Sequence, residues 1–479
     1  MHIITNCLLF QSCETKRMKK EYLGAVFLII ALFVVYIMMN KEPDIIIDDG
    51  IIIINKPEST VVDKKPESTV IVKQTGSLVT EMKVKPGMLK PIRIENIVEK
   101  RLTPVGSYMY GYYDKKETIY SNGQTRILVG KIPFYNEEPT ANDFLEVGWM
   151  SSGDDRTFNK IGETAAWNLQ QGCMMEWINE THIIYNVRDD GFKAVVHSLT
   201  GEKTMYPLPV YALTKGKYIS VSFARIHNVR RGYGYTVKYS NIDKVPSDDG
   251  IWLVDLNTKH AELLFSYKVI REYIINEGMH DEYTNQRHNN RIPTTDKWWW
   301  WVNHIMWSKD SKYISFITRA TTHIHTNYEF STIVMADVEA RQLWRVPKLL
   351  GSHPYFGSFL INCENLGTWK IVYRTVVEKL KWQPKTNGHC SLSPDEKWIL
   401  TDTYPMPKKK LIVEELYGDK QYVLSEYSPH NEGPIFTRCD LHPRWSFDGK
   451  LVFFDSTHSG NRSVYFIDLT KSISNYPIY

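Results

Sequence analysis

Several features that would assign a function directly are absent from this sequence of 479 residues. Its six cysteines form no CxxC pair and show no even spacing, which excludes a zinc knuckle and a disulfide framework. The net charge is only +4 and no block of basic residues occurs, so we predict no nucleic-acid partner. A G-x-S-x-G elbow is also missing, which argues against a serine protease or esterase.

The longest apolar run, residues 22–39, carries no charge and is just long enough to span a bilayer. Basic residues precede it and acidic residues follow, so the positive-inside rule places the tail, residues 1–21, in the cytoplasm. We therefore predict a single-pass membrane protein with an uncleaved signal anchor and with its bulk on the extracytoplasmic or lumenal side. A cleaved signal peptide is the alternative, although no small-residue cleavage site follows the run.

The next segment, residues 40–98, reads as an extended stalk that is rich in proline and charge. It contains the tandem repeat KPESTVVDK and KPESTVIVK, with one proline in each unit. Its isoleucine and valine runs alternate with charge and show no helical period. We therefore expect a linker without a packed core of its own.

From residue 99 to residue 479 the sequence consists of short aromatic and β-branched runs separated by turn signals. Five stretches follow one pattern, and they include IMWSKDSKYISF, SLSPDEKWILTD and PRWSFDGKLVFF. In each of them a short strand, a turn with Asp or Gly and a more apolar strand follow one another. All-β units of this kind, recurring every 35 to 55 residues, are typical of β-propeller blades. We predict an all-β fold, a seven-bladed propeller preceded by a single transmembrane helix and an extended linker.

Histidines recur in register with this turn. Three of them stand six residues before an Asp and eight before a Lys, and a fourth has a similar context without that turn: His304, His389, His442 and His353. Because the segment that enters the first strand of a blade lines the central channel, these side chains are expected to converge. Grouped imidazoles favour Zn, Mn or Fe over Ca or Mg, or they hold an anion as protonated donors. The alternative is that each histidine is an ordinary hydrogen-bonded structural residue.

A second group of polar residues precedes the histidines in the sequence. Amides, tyrosines and arginines of this kind suit the recognition of sugar hydroxyls and of a uronate carboxylate. The group comprises Asn168, Gln170, Gln171, Tyr211, Arg225, His227, Arg230, Tyr233 and Tyr235. The alternative is that the amides are turn residues and that the arginines belong to a solvated loop.

The motifs WNLQQG, RIHNVRRGYGY and RCDLHPRWS, within residues 100–475, resemble TolB-type propellers and the propeller-fold polysaccharide lyases. The resemblance to the oligogalacturonate lyase and ulvan lyase types implies β-elimination at a uronate, assisted by a divalent metal (Mn or Zn) at the four histidines. It implies catalytic roles for Tyr211, Arg225 and His227. Substrate-binding roles then fall to Asn168, Gln171, Arg230 and Tyr235. Ulvan lyases carry a histidine where this chain has Asn168, and this departure favours binding if that histidine is required.

We therefore predict a membrane-anchored propeller that acts on an acidic polysaccharide or oligosaccharide, as a metal-assisted polysaccharide lyase. The rival hypothesis is a non-catalytic propeller, a glycan receptor or a scaffold, whose histidines are structural or hold a structural ion. The two hypotheses share the fold and differ in what the histidine cluster does.

Overall fold

The computed structural model describes two short segments, 45–48 and 51–54, and then residues 92–473 with internal gaps. The gaps are 95–96, 113–117, 154–155, 239–241, 279–294, 325–328, 346–352, 365–366, 373–375, 382–387, 405–407, 419, 431–432 and 434–436. The side chains of 362–381 are not described either. Two compact units are present, Met1–Val70 and Ile71–Tyr479.

In the first unit, strands β1 (Ile45–Asp48) and β2 (Ile51–Ile54) form an antiparallel hairpin within the predicted stalk. The predicted anchor, residues 22–39, lies outside the described residues. Among the residues that are described, no helix combines the length and the apolar character needed to cross a membrane. The anchor and the stalk therefore stay predictions.

The described part of the second unit folds into seven sheets, in which all strand pairs but one are antiparallel. The strands of each sheet follow one another along the chain with few exceptions. Sheet 1 contains β5 (Ser107–Met109), β6 (Thr118–Ser121), β7 (Gln124–Ile132), β8 (Leu145–Ser151) and β9 (Asn159–Thr164). Sheet 2 contains β10 (Glu176–Asn179), β11 (His182–Arg188), β12 (Phe192–Ser198) and β13 (Lys203–Tyr206). Sheet 3 contains β14 (Ala212–Thr214), β15 (Lys217–Ser220), β16 (Gly250–Asp255) and β17 (Ala261–Ser266).

Sheets 4 to 7 continue the same arrangement. Sheet 4 contains β18 (Trp299–Trp307), β19 (Tyr313–Thr321), β20 (Phe330–Asp337) and β21 (Gln342–Arg345), and sheet 5 contains β22 (Pro354–Phe356), β23 (Leu360–Glu364), β24 (Gly367–Val372) and β25 (Val376–Lys381). Sheet 6 contains β26 (Ser391–Leu392), β27 (Trp398–Asp402), β28 (Lys409–Glu415) and β29 (Gln421–Tyr427). Sheet 7 contains β30 (Arg444–Trp445), β31 (Leu451–Ser456) and β32 (Ser463–Asp468).

Two strands from the start of this unit complete the last two sheets. Strand β4 (Glu99–Arg101) pairs antiparallel with β32 and becomes the fourth strand of sheet 7. Strand β3 (Ile92–Arg93) adds to sheet 6 in parallel with β29. The beginning of the unit is therefore hydrogen-bonded to its end, and the all-β class predicted from the sequence is confirmed.

The recurring Ser-x-Asp motif forms the same turn in sheets 4, 6 and 7. The serine hydroxyl donates to the aspartate two residues later, at 2.6–2.7 Å from Ser308, Ser393 and Ser446. The same hydroxyl accepts the backbone N–H five residues on, which starts the second strand. This local geometry explains why the sequence repeats its register in these blades.

Three short helices interrupt the described sheets. They are α1 (Phe223–Val229), α2 (Tyr267–Gly278) and α3 (Leu469–Ser472). The hydroxyl of Ser222 caps α1 by accepting from the Arg225 N–H at 3.1 Å. Helix α1 was not predicted from the sequence. Helix α1 matters here because it carries Arg225 and His227.

The core lies between neighbouring sheets. Trp300 and Trp301 are fully buried in a cluster that also contains Tyr218 of sheet 3 and Phe316 of sheet 4. Burying an aromatic side chain stabilises the fold by about 1.5–3 kcal/mol relative to exposure. The three cysteines in the described residues, Cys173, Cys390 and Cys439, are buried thiols.

Candidate metal centre

The structure brings the four histidines singled out from the sequence into one cluster, although they come from sheets 4, 5, 6 and 7. The ring centroids of His304 and His353 are 5.9 Å apart. Those of His353 and His389 are 4.3 Å apart, and those of His389 and His442 are 4.2 Å apart. All four side chains are buried. They form what we call the histidine cluster.

Two members of the cluster have left-handed backbone conformations that are uncommon for residues other than glycine. His304 has φ 52° and His442 has φ 41°, at a cost of about 1–2 kcal/mol each. His304 sits in a β-bulge, where the β18–β19 register shifts between Asn303 and Met306. Each strained peptide is held by a side chain from another sheet or loop.

For His304, the backbone N–H donates to the Tyr211 hydroxyl at 2.7 Å. Tyr211 also accepts from the Gln171 side-chain amide at 3.1 Å. For His442, the backbone N–H donates to the Asp402 carboxylate at 3.2 Å. The hydroxyl of Tyr110 donates to the carbonyl of His442. These contacts hold the backbone of His304 and His442 in the conformations that direct their imidazoles toward the cluster.

Two tyrosines lie against the imidazoles, and neither was predicted from the sequence to belong to the site. The ring of Tyr112 is 5.0–6.1 Å from those of His304, His389 and His442. Its hydroxyl is 2.5 Å from Nδ1 of His304. The hydroxyl of Tyr404 is 2.8 Å from Nε2 of His353. Hydrogen bonds to one ring nitrogen orient a histidine and set its tautomer.

Two buried carboxylates were also missed in the sequence. Asp402 lies with both carboxylate oxygens 3.0 Å from Nδ1 of His389. Asp440 joins His389 and His442 in a buried group whose ligand atoms all lie within 4.8 Å of one another. A usable signal existed, because Asp440 stands two residues before His442 and Asp402 ends β27, the second strand after His389.

The electrostatics of this group suit a divalent cation. Burial has the largest single effect on the pKa of Asp440 and raises it. Arg438, with Nε 2.8 Å from both carboxylate oxygens, acts together with His389 and Lys409 to bring the pKa below its usual value, so the carboxylate is ionised. Burial, together with the neighbouring His389, holds the pKa of His442 well below its usual value. A neutral imidazole and an ionised carboxylate are the protonation states that metal binding requires.

Acidic and basic side chains both lie near the cluster: Arg438, Arg444 and Arg462 all lower the pKa of His442, and Asp455 pairs with Arg462. Asp402 and Asp440 supply two carboxylates. Arg438 pairs with Asp440, and the ammonium of buried Lys409, which donates to the Cys439 carbonyl at 2.5 Å, also lowers the pKa of Asp440. A bound divalent ion would therefore give this part of the centre a net positive charge, which attracts anionic ligands.

Arg225 does not reach the histidine cluster through any described contact. Its guanidinium donates to three backbone carbonyls, those of Trp300, Asp243 and Lys244, each at 2.8 Å. It also lies over the ring of Tyr267, at 4.4 Å. Burial lowers its pKa. The side chain thus links helix α1 to sheet 4 and to the loop before β16.

The remaining residues of the predicted recognition group are spread over the loops near α1. Tyr235 is buried against Phe223, with ring centroids 4.2 Å apart, and accepts from the Asn186 amide at 2.9 Å. Nδ1 of His227 is 4.0 Å from the Glu138 carboxylate. The guanidinium of Arg230 lies 5.4 Å from the ring of Tyr233.

Asn168 closes a tight turn. Its side-chain oxygen Oδ1 accepts the backbone N–H groups of Gln170 and Gln171, at 3.0 and 2.7 Å. Its side-chain NH₂ group donates to the backbone carbonyl of Gly234. The side chain of Gln170 reaches the carbonyl of Arg438 at 2.9 Å. This turn therefore connects the α1 loops to the segment that carries Asp440 and His442. The substrate-binding and catalytic roles assigned from the sequence stay predictions.

Comparison with known proteins identifies the architecture. No protein-family model matches the chain, and no curated protein is similar to it. The structure is similar to that of oligogalacturonate lyase from Vibrio parahaemolyticus, with a TM-score of 0.51 and 12% identity, over 78% of this chain and 94% of that one. The chain has a TolB/oligogalacturonate lyase-like propeller fold.

Two further solved structures match over most of their length. An oligogalacturonate lyase in complex with manganese is 11% identical over 79% of this chain and 95% of that one, with a TM-score of 0.40. TolB from Acinetobacter baumannii is 12% identical over 72% of this chain and 79% of that one, with a TM-score of 0.32. At these identities the likeness concerns the fold, and the site has to be judged from its own residues.

Proposed function

We propose that this chain is a metal-dependent polysaccharide lyase that cleaves an acidic polysaccharide by β-elimination at a uronate. The observation that carries the proposal is the convergence of His304, His353, His389 and His442 with the ionised carboxylate of Asp440. In this proposal each of the seven sheets is one blade, and the histidines enter from four successive blades.

The donor set fits a transition metal of the Mn or Zn type. Imidazole nitrogens with one carboxylate suit these ions, whereas Ca and Mg prefer sites made of oxygen atoms alone. His389, Asp440 and His442 would hold the ion, with His304 and His353 close enough to complete the set. When bound, the ion would neutralise the uronate carboxylate and stabilise the negative charge that develops on loss of the α proton.

The protein side chains would supply the proton donor. Burial raises the pKa of Tyr404 well above its usual value, so its phenol stays protonated. The hydroxyl lies 2.8 Å from Nε2 of His353, and part of the residue still reaches solvent. A protonated phenol at the edge of the centre suits donation to the leaving glycosidic oxygen. In the roles that the resemblance implies, Tyr211 or His227 would accept the α proton and Arg225 would help to neutralise the carboxylate.

The cellular setting belongs to the same proposal. The apolar run 22–39 would anchor the chain in a membrane, with the tail 1–21 in the cytoplasm. Residues 40–98 would form the stalk, apart from β3, which pairs with sheet 6. Residues 99–479 would form the propeller, which would meet polysaccharide on the extracytoplasmic or lumenal side.

The test uses the purified full-length chain and a panel of uronate polymers, with Mn²⁺ or Zn²⁺ added after chelation. β-Elimination creates a double bond conjugated to the carboxylate, so ultraviolet absorbance should rise with time and should stop when chelator is added. Absence of this signal across the panel, with metal content measured at the same time, would contradict the lyase proposal.

A second candidate is a non-catalytic glycan-binding propeller, and one observation favours it. The guanidinium of Arg225, one of the catalytic residues implied by the resemblance, is buried against three backbone carbonyls. Under this alternative, oligouronates would bind to the full-length chain in calorimetry while no unsaturated product forms. Binding without turnover would decide in its favour.

A further inference from the structure

We infer that Asp402 is a positioning residue that sets the tautomer of His389 and locks the backbone of His442. The inference deepens the proposed function and depends on it for its consequence, which is metal affinity. Asp402 is the last residue of β27, in sheet 6, and is 2% exposed. Its carboxylate contacts two histidines of the cluster, one from its own sheet and one from sheet 7.

The first contact is with His389, which enters sheet 6 just before β26. Asp402 accepts from the backbone N–H of His389 at 2.7 Å, and both of its oxygens lie 3.0 Å from Nδ1 of the ring. A carboxylate accepts hydrogen bonds and donates none, so it holds the proton of a neutral imidazole on Nδ1. Nε2, on the opposite side of the ring, is then the lone-pair nitrogen available to a metal.

The second contact is with His442, in the segment that enters sheet 7. The other carboxylate oxygen accepts the backbone N–H of His442 at 3.2 Å. That residue has φ 41°, so its peptide is strained and depends on its hydrogen bonds to stay in place. Tyr110 holds the same residue from the other side, through its carbonyl.

The carboxylate of Asp402 therefore positions two predicted metal ligands, His389 and His442, that are 53 positions apart in the sequence. His304 has a related arrangement. It also has a left-handed backbone conformation, and its backbone N–H donates to the hydroxyl oxygen of Tyr211. The described contact of Tyr211 is with the backbone of its histidine, whereas the described contacts of Asp402 include a backbone N–H and a ring nitrogen. Removing the negative charge of Asp402 should disturb both.

The experiment compares the wild-type chain with Asp402→Asn, which keeps the shape but places an amide beside the imidazole. Glu414→Gln is the matched control, because Glu414 is also a buried carboxylate of sheet 6, hydrogen-bonded to Gln421 at 2.9 Å. The first measurement is nitrogen NMR of the full-length, metal-free chain with ¹⁵N-labelled histidine, in which His389→Gln assigns the signal. The second is the dissociation constant of Zn²⁺ by chelator competition.

In the wild-type chain we expect His389 to carry its proton on Nδ1. This measurement needs no variant, so it tests the inference even if Asp402→Asn fails to fold. Observation of the proton on Nε2 would overturn the inference. In folded Asp402→Asn the proton should move to Nε2, and Zn²⁺ affinity should fall about 10- to 100-fold.

Glu414→Gln should leave the His389 signal unchanged and change the Zn²⁺ affinity less than about twofold, since the described partner of Glu414 is Gln421 and not a histidine of the cluster. Unchanged Zn²⁺ affinity in folded Asp402→Asn would overturn the positioning role. If the wild-type chain binds no metal while His389 carries its proton on Nδ1, the proposed function fails and the tautomer assignment stands. The two failures are therefore distinguishable.

Discussion

The histidine cluster and the α1 region were both selected from the sequence, yet they use their polar side chains differently. In the cluster, His304, His353, His389 and His442 face one another across four sheets. In the α1 region, Arg225 instead turns inward to donate to backbone carbonyls. A position that recurs in register across repeats has a predictable direction, whereas a polar side chain in a loop often serves its own backbone.

The largest effect should come from removing two predicted ligands at once, in the His389→Ala, His442→Ala double variant. We expect metal affinity to fall by more than the ~10- to 100-fold typical of an outer-shell change, because two donors are lost. Metal content by mass spectrometry measures this effect. His260→Ala, at an exposed position outside the cluster, is the control. Full metal content in the double variant would reduce the cluster to a structural role.

The next largest effect tests the α1 region, where Arg225 is expected to stabilise the fold. Arg225→Met removes the donors to three carbonyls, and the free energy of unfolding should fall by about 3 kcal/mol or more. Arg126→Met, which removes an arginine stacked on Trp149 at 4.7 Å, should cost less than about 1 kcal/mol. Denaturant unfolding measures both variants. If Arg225→Met is stable but abolishes turnover, the catalytic role predicted from the resemblance gains support.

Tyr211→Phe distinguishes support of the cluster from catalysis. The variant removes the acceptor of the His304 N–H, so stability should fall by about 1–3 kcal/mol, and metal affinity should weaken a few-fold. Tyr218→Phe also loses a buried hydroxyl bond, to Leu208 at 2.7 Å, but it should leave metal affinity unchanged. Loss of all turnover in Tyr211→Phe, with stability and metal affinity intact, would instead indicate proton transfer by Tyr211.

The smallest effect concerns the turn at Asn168. Asn168→Ala removes the acceptor of two backbone N–H groups and should cost about 1 kcal/mol. Asn179→Ala is a close match, since Asn179 accepts from Thr181 and His182 in an exposed turn. Similar losses of stability, with unchanged oligouronate binding, would make Asn168 a turn residue. Weaker binding in Asn168→Ala alone would support the predicted recognition role.

Much of the fold and part of the site followed from the sequence because blade repeats are local. The Ser-x-Asp turn is built from residues within five positions of Ser308, Ser393 or Ser446, so its spacing fixes the strand register wherever it recurs. That register selected His304, His389 and His442. Helix α1 escaped prediction because it is only 7 residues long, and so short an amphipathic pattern is ambiguous.

What the sequence alone determined is the all-β class, the blade register and the set of histidines that face one another. What only the tertiary structure decided is which other groups meet them. Asp402 and Asp440 lie 38 positions apart and reach the cluster from sheets 6 and 7, while Tyr112 comes from the segment after β5. Such contacts depend on how the ring of sheets closes, a long-range property that local periodicity does not encode.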